Sequence, residues 1–219
     1  ADNKLNSVLT WKNLKGKNIS GSLHTETDFF NIQGKAAAHV NVHTSKVLVD
    51  GTTWVVQPGD IVYHAKHLTI DHFAVTHGNQ HIIIAGLATP NPKDSVVAEL
   101  KNVDIAYILN LVNFHAVEFS GKASGKAYIA SAFNKPSASA RLQIDDFRFE
   151  DGRMGTLYAD SRWNEKEGQI DIDAIAKDTV LNRMGERYVP LETSIQGYVS
   201  PRKNNIELNI KANGTRIEF

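Results

Sequence analysis

Nine histidines, two sets of closely spaced carboxylates and a Ser/Gly/Lys repeat are the residues of this 219-residue chain whose types offer chemistry. A metal site needs two to four side chains converging on one point. His39 and His43 share a face, but it is the one opposite Val40 and Val42, and faces solvent. The run His64, His67, His72, His77 and His81 has no HExxH-like spacing, and there is no cysteine to complete a ligand set. Asp145-Asp146 and Asp171/Asp173 supply paired acids, the raw material of glycoside hydrolysis. At i, i+2 on a strand, however, such acids decorate a polar face. Gly121-Lys-Ala-Ser-Gly125-Lys lacks the spacing of a phosphate loop and the helix that should follow, and Ser120 and Ser124 lack a GxSxG context. The expectation is no catalytic residue, no metal and no cofactor: this is not the sequence of an enzyme.

The elements that carry these residues are strands. Phe119 to Ala176 sets the pattern: Leu142 and Ile144, then Ile170 and Ile172, alternate with polar residues at the two-residue period of a sheet with one buried face. Gly121, Gly125, Asp151-Gly152 and Glu167-Gly168 read as turn chemistry between the runs. Upstream, Val40/Val42 and Val47/Val49 lead to an Asp50-Gly51 hairpin turn, and Pro58-Gly59 and His77-Gly78-Asn79 read as further turns. Thr89-Pro90-Asn91-Pro92 reads as a loop. Leu5 to Ile32 fits a helix or two strands equally well. Residues 102–114 break the alternation and predict one short amphipathic helix capped by Asn102 or Asp104. Thr179 to Leu191, with Met184-Gly185 and Pro190, reads as a loop.

A faint repeat runs through the pattern. Leu68-Thr-Ile70-Asp71-His-Phe73 matches Leu142-Gln-Ile144-Asp145-Asp-Phe147 at an offset of 142 − 68 = 74 residues, and Gly78/Gly152 and Ala85/Ala159 keep the same offset. Some 14 to 16 strands are expected, too many for a flat single layer to keep its apolar face from water unless it curls or is covered.

Composition narrows the partners. Charge is balanced, 24 basic against 24 acidic residues, which argues against nucleic acid. The absence of cysteine leaves the redox compartment open. No apolar run approaches the ~20 residues of a membrane-spanning helix and no signal peptide is visible. The chain reads as an excised or processed section of a longer one. What remains is the apolar face itself, rich in Ile, Val, Leu and Ala and poor in aromatic bulk.

Several stretches together resemble the TamB-type translocation and assembly module proteins, in their Bacteroidetes branch. They are Leu100-Lys-Asn-Val-Asp104-Ile-Ala-Tyr-Ile-Leu109, Val117-Glu-Phe119-Ser-Gly121-Lys-Ala-Ser-Gly125, Ala140-Arg-Leu-Gln-Ile-Asp-Asp-Phe147, and Met154-Gly155 followed by Trp163-Asn164. Thr53-Trp54 before Ile61-Val62-Tyr63, and the terminal Thr215-Arg-Ile-Glu-Phe219, complete the likeness over most of residues 36 to 219. The resemblance implies the AsmA-like, bridge-like lipid transfer class. Its members are long periplasmic sheets curled into a hydrophobic groove (a β-taco), anchored in the inner membrane and reaching an outer-membrane partner of the Omp85 class. Neither the anchoring helix nor the docking segment is in this sequence, and the family carries no catalytic residues.

The fold expectation is therefore all-β: one elongated, strongly curled, mostly antiparallel sheet forming a hydrophobic half-pipe, with one short helix near residues 102–114. Residues 1–219 form a single β domain, a section of a longer periplasmic chain. The function expectation is a groove that conducts phospholipid acyl chains between the two membranes, lined by Leu142, Ile144, Ile170, Ile172, Ile206, Leu208 and Ile210. The alternatives are a scaffold for outer-membrane protein assembly by strand augmentation, and a carbohydrate-binding β-sandwich, for whose aromatic platforms only the widely separated Trp11, Trp54 and Trp163 are available.

Overall fold

A computed structural model describes residues 3–12, 19–111, 118–150, 152–181, 188–200 and 205–213. The expected class holds: fifteen strands in one antiparallel sheet and one short helix among the described residues. In chain order they are β1 (Lys4–Trp11), β2 (Ile19–Ile32), β3 (Lys35–Val42), β4 (Ser45–Val49), β5 (Thr52–Val56), β6 (Gly59–His64), β7 (His67–His77), β8 (Gln80–Ala88) and β9 (Ser95–Asp104). Then come α1 (Ile105–Leu111), β10 (Phe119–Ala130), β11 (Ser137–Phe149), β12 (Gly152–Asn164), β13 (Gln169–Leu181), β14 (Tyr188–Ser200) and β15 (Asn205–Asn213).

The pairing looks crossed only near β3 to β6, and register resolves it. β3 and β4 both lie along β2, through Thr25↔Val42 and Ser22↔Lys46. The pairs Val42↔Gly59 and Ser45↔Val56 keep one register between β3–β6 and β4–β5. β3/β4 and β5/β6 are thus two long strands, each broken once, and the sheet is a meander of 15 − 2 = 13 rows, each beside its neighbour in sequence. The breaks face each other. Pro58 has no N–H to donate, so the ladder fails there, and polar groups bridge the gap. Gln57 N–H donates to Ala74 O at 2.8 Å and His43 N–H to His24 O at 2.9 Å. The buried Ser45 hydroxyl accepts from His24 N–H and donates to His43 O, each at 2.9 Å. Pro58-Gly59 is therefore a mid-strand interruption, not a hairpin turn.

The chain divides into two compact units, residues 1–101 with 128–136, and residues 102–127 with 137–219. In the first, Leu5 to Ile32 resolves into the hairpin β1–β2. Asp50-Gly51 and Gly78-Asn79 form the expected turns. In the second, the helix occupies only Ile105–Leu111; Asn102–Asp104 end β9, and residues 112–114 lie outside the described residues. Asp104 sets this boundary. One carboxylate oxygen accepts Ala106 N–H at 3.0 Å, the bond of an N-cap, and the other takes the Lys122 ammonium at 3.0 Å.

Two further expectations change. Gly121 and Gly125 are not turns but lie inside β10, at φ +144 and +141. A Cβ on Gly121 would sit 2.6 Å from Ile144 Cγ2, and one on Gly125 would meet Arg141 O, so glycine lets β11 approach closely. Of Thr179 to Leu191, the described residues 179–181 and 188–191 are strand, and 182–187, with Met184-Gly185, lie outside the described residues. β13 continues to Leu181 and β14 begins at Tyr188, with Pro190 in the ladder opposite Thr179. Thr179-Val180-Leu181 is strand-forming composition that Met184-Gly185 and Pro190 obscured.

The 74-residue echo is structural in one respect. Both copies of Leu-x-Ile-x-x-Phe carry a β-bulge, between Ile70 and Phe73 and between Ile144 and Phe147. His72 and Asp146 hold the same left-handed backbone, φ +51 in each. The Ala85/Ala159 and Gly78/Gly152 coincidences do not survive: Ala85 faces the first bulge whereas Ala159 pairs with Leu142, and Gly78 lies in a turn whereas Gly152 opens β12.

Candidate functional site: an apolar cavity in the second unit

Register aligns the second unit's apolar residues in rows that cross strands. One row runs Leu142–Ala159–Ala174–Ile195–Ile210, and the next Ala140–Ser161–Ile172–Gly197–Leu208. The opposite face is charged. Arg141 Nε meets Asp160 at 2.9 Å, and Lys177 Nζ meets Glu192 at 3.5 Å. Asp171 accepts from Gln169 Nε2 at 2.7 Å and Asn164 Nδ2 at 2.8 Å, and these bonds hold its carboxyl below the usual range. A strand's alternation thus sorts the sheet into an oily side and a wet side.

On the oily side lies a half-open cavity of about 240 Å³. Its wall takes Ile105, Ile108 and Leu109 from α1, at the i, i+3, i+4 spacing of one helix face. β10 gives Phe119; β11 gives Ala140, Leu142, Ile144 and Phe147; β12 gives Leu157, Ala159 and Ser161. β13 gives Ile172 and Ala174, β14 gives Ile195, and β15 gives Leu208. β11 and β15 are four rows apart, about 19 Å in a flat sheet. Both wall the same cavity, so the sheet of this unit curls around it. Phe119 stacks on Phe147 with ring centres 5.6 Å apart and is backed by Phe149 at 5.5 Å.

Fourteen of the fifteen wall residues are apolar; Ser161 is the exception, and none is charged. The wall residues Phe147, Leu157 and Ile195 belong, with Ala123 and Ala176, to one buried core cluster. The arrangement can hold hydrocarbon. Its one polar group is the Ser161 hydroxyl, and no carboxylate, imidazole or amine lies in the wall.

Of the seven residues expected to line a groove, Leu142, Ile144, Ile172 and Leu208 wall this cavity. Ile170 shares their face through its pairing with Trp163 but lies outside the wall. Ile210 pairs with Ile195 on the edge strand and is 45% exposed, also outside it. Ile206 pairs with Val199 in register, and its side chain is not among those described. Sequence reasoning missed the α1 residues, Phe119, Phe147, Leu157 and the small residues Ala140, Ala159, Ala174 and Ser161. The helix residues had a readable signal in their i, i+3, i+4 spacing. The alanines had none, because Ala names no face.

The remaining chemistry is dispersed. His39 Nε2 and Asp60 Oδ1 lie 2.7 Å apart on the first unit's polar face. Among the described residues no three His, Cys, Asp or Glu side chains are grouped to hold a metal ion. Asp145 is exposed and Asp146 sits in the bulge. Trp54 is 3% exposed and tilts against His77, so it offers no platform for a sugar. No helix among the described residues is long and apolar enough to cross a membrane. No protein family profile, curated protein or solved structure matches this chain.

Proposed function

We propose that this chain is a section of a hydrophobic conduit carrying phospholipid acyl chains between the inner and outer membranes, in the manner the TamB-type resemblance implies. It works in the periplasm, in a protein anchored in the inner membrane and met at the outer membrane by an Omp85-class partner. The observation that carries the reading is the uncharged cavity wall, fourteen apolar residues in fifteen. Leaving a bilayer for water costs an acyl chain about 0.8 kcal/mol per methylene, so a sixteen-carbon chain faces more than ~10 kcal/mol. An aliphatic wall removes much of that cost while the headgroup stays wet. With no charge on the wall to hold it, the chain is free to slide.

A charge in the wall should stop this, because an ion stranded among aliphatic groups expels hydrocarbon or drags water in. Ile172→Asp and Leu208→Arg are expected to fold and to lose binding of a phospholipid with a fluorescent tail. They should also lose transfer between vesicles when placed in the longer protein. Folded variants that bind and transfer like the wild type would end the conduit reading.

One observation favours a second reading, a scaffold for outer-membrane protein assembly. Among the described residues β1 pairs only with β2, and it exposes Leu5, Val8 and Leu9. An open strand edge is a template for another strand. Photo-crosslinkers in β1 that capture nascent barrel proteins, with none in the cavity capturing lipid, would favour it.

A further inference from the structure

The cavity's size says more about its occupant than its polarity does. An engineered apolar cavity of about 150 Å³ holds benzene, six carbons; scaling to 240 Å³ gives room for roughly ten. Two sixteen-carbon tails bring thirty-two. The space also has an identifiable origin. Ala159 and Ala174 are direct partners across β12–β13, and Ala140 and Ser161 are direct partners across β11–β12. These four small side chains adjoin larger ones, Leu142 and Ile195 on either side of the alanine pair in one row and Ile172 and then Leu208 after Ser161 in the next. All eight belong to the wall. Were the four small residues leucine-sized, the floor would rise into the cavity and fill it.

We infer that this cavity admits one unbranched hydrocarbon tail at a time, through the room left by Ala140, Ala159, Ser161 and Ala174, and so takes single-tailed amphiphiles more tightly than two-tailed ones. The inference rests on the reading that hydrocarbon occupies the cavity. A single-tailed lipid seats the end of its only tail, whereas a diacyl lipid must leave its second tail outside. Ser161 is the wall's one polar side chain, so the headgroup contributes little, and a fatty acid and a lysophospholipid share the recognised chemistry.

The test uses the full 219-residue chain, freed of lipid, and native mass spectrometry with tryptophan fluorescence. The probes are saturated fatty acids of six to sixteen carbons, a sixteen-carbon lysophospholipid and the diacyl phospholipid with the same tails. The fatty-acid affinities should rise about fourfold per methylene and then level off near ten carbons. One probe molecule should bind per chain, with the fatty acid and lysophospholipid alike and the diacyl lipid at least about tenfold weaker. Ala159→Leu, and independently Ala140→Leu, should weaken the long single-tailed probes by about tenfold or more and shorten the length at which affinity levels off. Each variant is checked for wild-type circular dichroism, and either one folded suffices. Equal affinity for one- and two-tailed lipids, two tails per chain, or folded leucine variants that bind unchanged would overturn the inference while leaving the conduit reading intact. Binding of no hydrocarbon probe at all would overturn both.

Discussion

The two units are made from the same alternation and differ in what covers the oily face. In the second, α1 lays Ile105, Ile108 and Leu109 against the strands and a connected core forms beneath. In the first, the described residues include no helix, and Leu5, Leu9, Phe29 and Tyr63 on one face remain substantially exposed. Small residues appear in both, and in the second a helix closes over them to leave a half-open cavity. Alternation makes a face; a cover decides whether the face becomes a cavity.

The echoed phenylalanines should separate the two units by the largest margin. Phe147 is 2% exposed within the core cluster, whereas Phe73 at the same bulge position is only half-buried. Phe147→Ala should cost about 3–5 kcal/mol in urea unfolding, and Phe73→Ala clearly less. Equal losses would show that the first unit is as well covered as the second.

Glycines give the next contrast. Gly125→Ala drives a Cβ into Arg141 O at a left-handed φ and should cost on the order of 1–3 kcal/mol. Gly78→Ala, in a turn with nothing within 4 Å, should cost about 1 kcal/mol or less. Thermal denaturation read by circular dichroism separates the two. The cap then tests the cover itself. Asp104→Ala loses the α1 cap and the Lys122 pair and should cost about 1 kcal/mol, with earlier hydrogen exchange in α1 than in β12.

Titrations are the smallest effects. Asp171 has a depressed carboxyl, so its contribution is complete above the ordinary value of 3.8 and is lost as pH falls through its lower folded value. Lys4 in the first unit is raised by Glu26 and Asp28, so its contribution is complete below 10.5 and is lost as pH rises beyond it. Asn164→Ala should move the Asp171 carboxyl resonance midpoint upward in an NMR titration, and Glu26→Gln should move that of Lys4 downward.

Much of this was legible in the sequence. Alternation at Leu142/Ile144 and at Ile170/Ile172 grouped residues that register places together, all four on the oily side, though alternation alone did not say which face turns inward. Of the two caps the sequence offered, Asn102 and Asp104, it is Asp104 that accepts the Ala106 N–H. The misreadings share a cause: Gly and Pro mark either a reversal or a local interruption, and only pairing tells them apart. Gly121 and Gly125 serve close approach, Pro58 breaks a strand without turning it, and Pro190 sits within a ladder. The cavity was less legible because its shape depends on small residues juxtaposed from neighbouring strands. That juxtaposition is set by register, and a one-residue slip would send every one of them to the other face.

The most direct test of the central claim, that hydrocarbon occupies the oily face of the second unit, is native mass spectrometry of the protein purified without detergent. Protein prepared this way should include a population heavier than the bare chain by the mass of bound lipid, and Leu208→Arg should lose it. A wild-type spectrum containing only the bare chain, and no adduct after incubation with phospholipid vesicles, would contradict it.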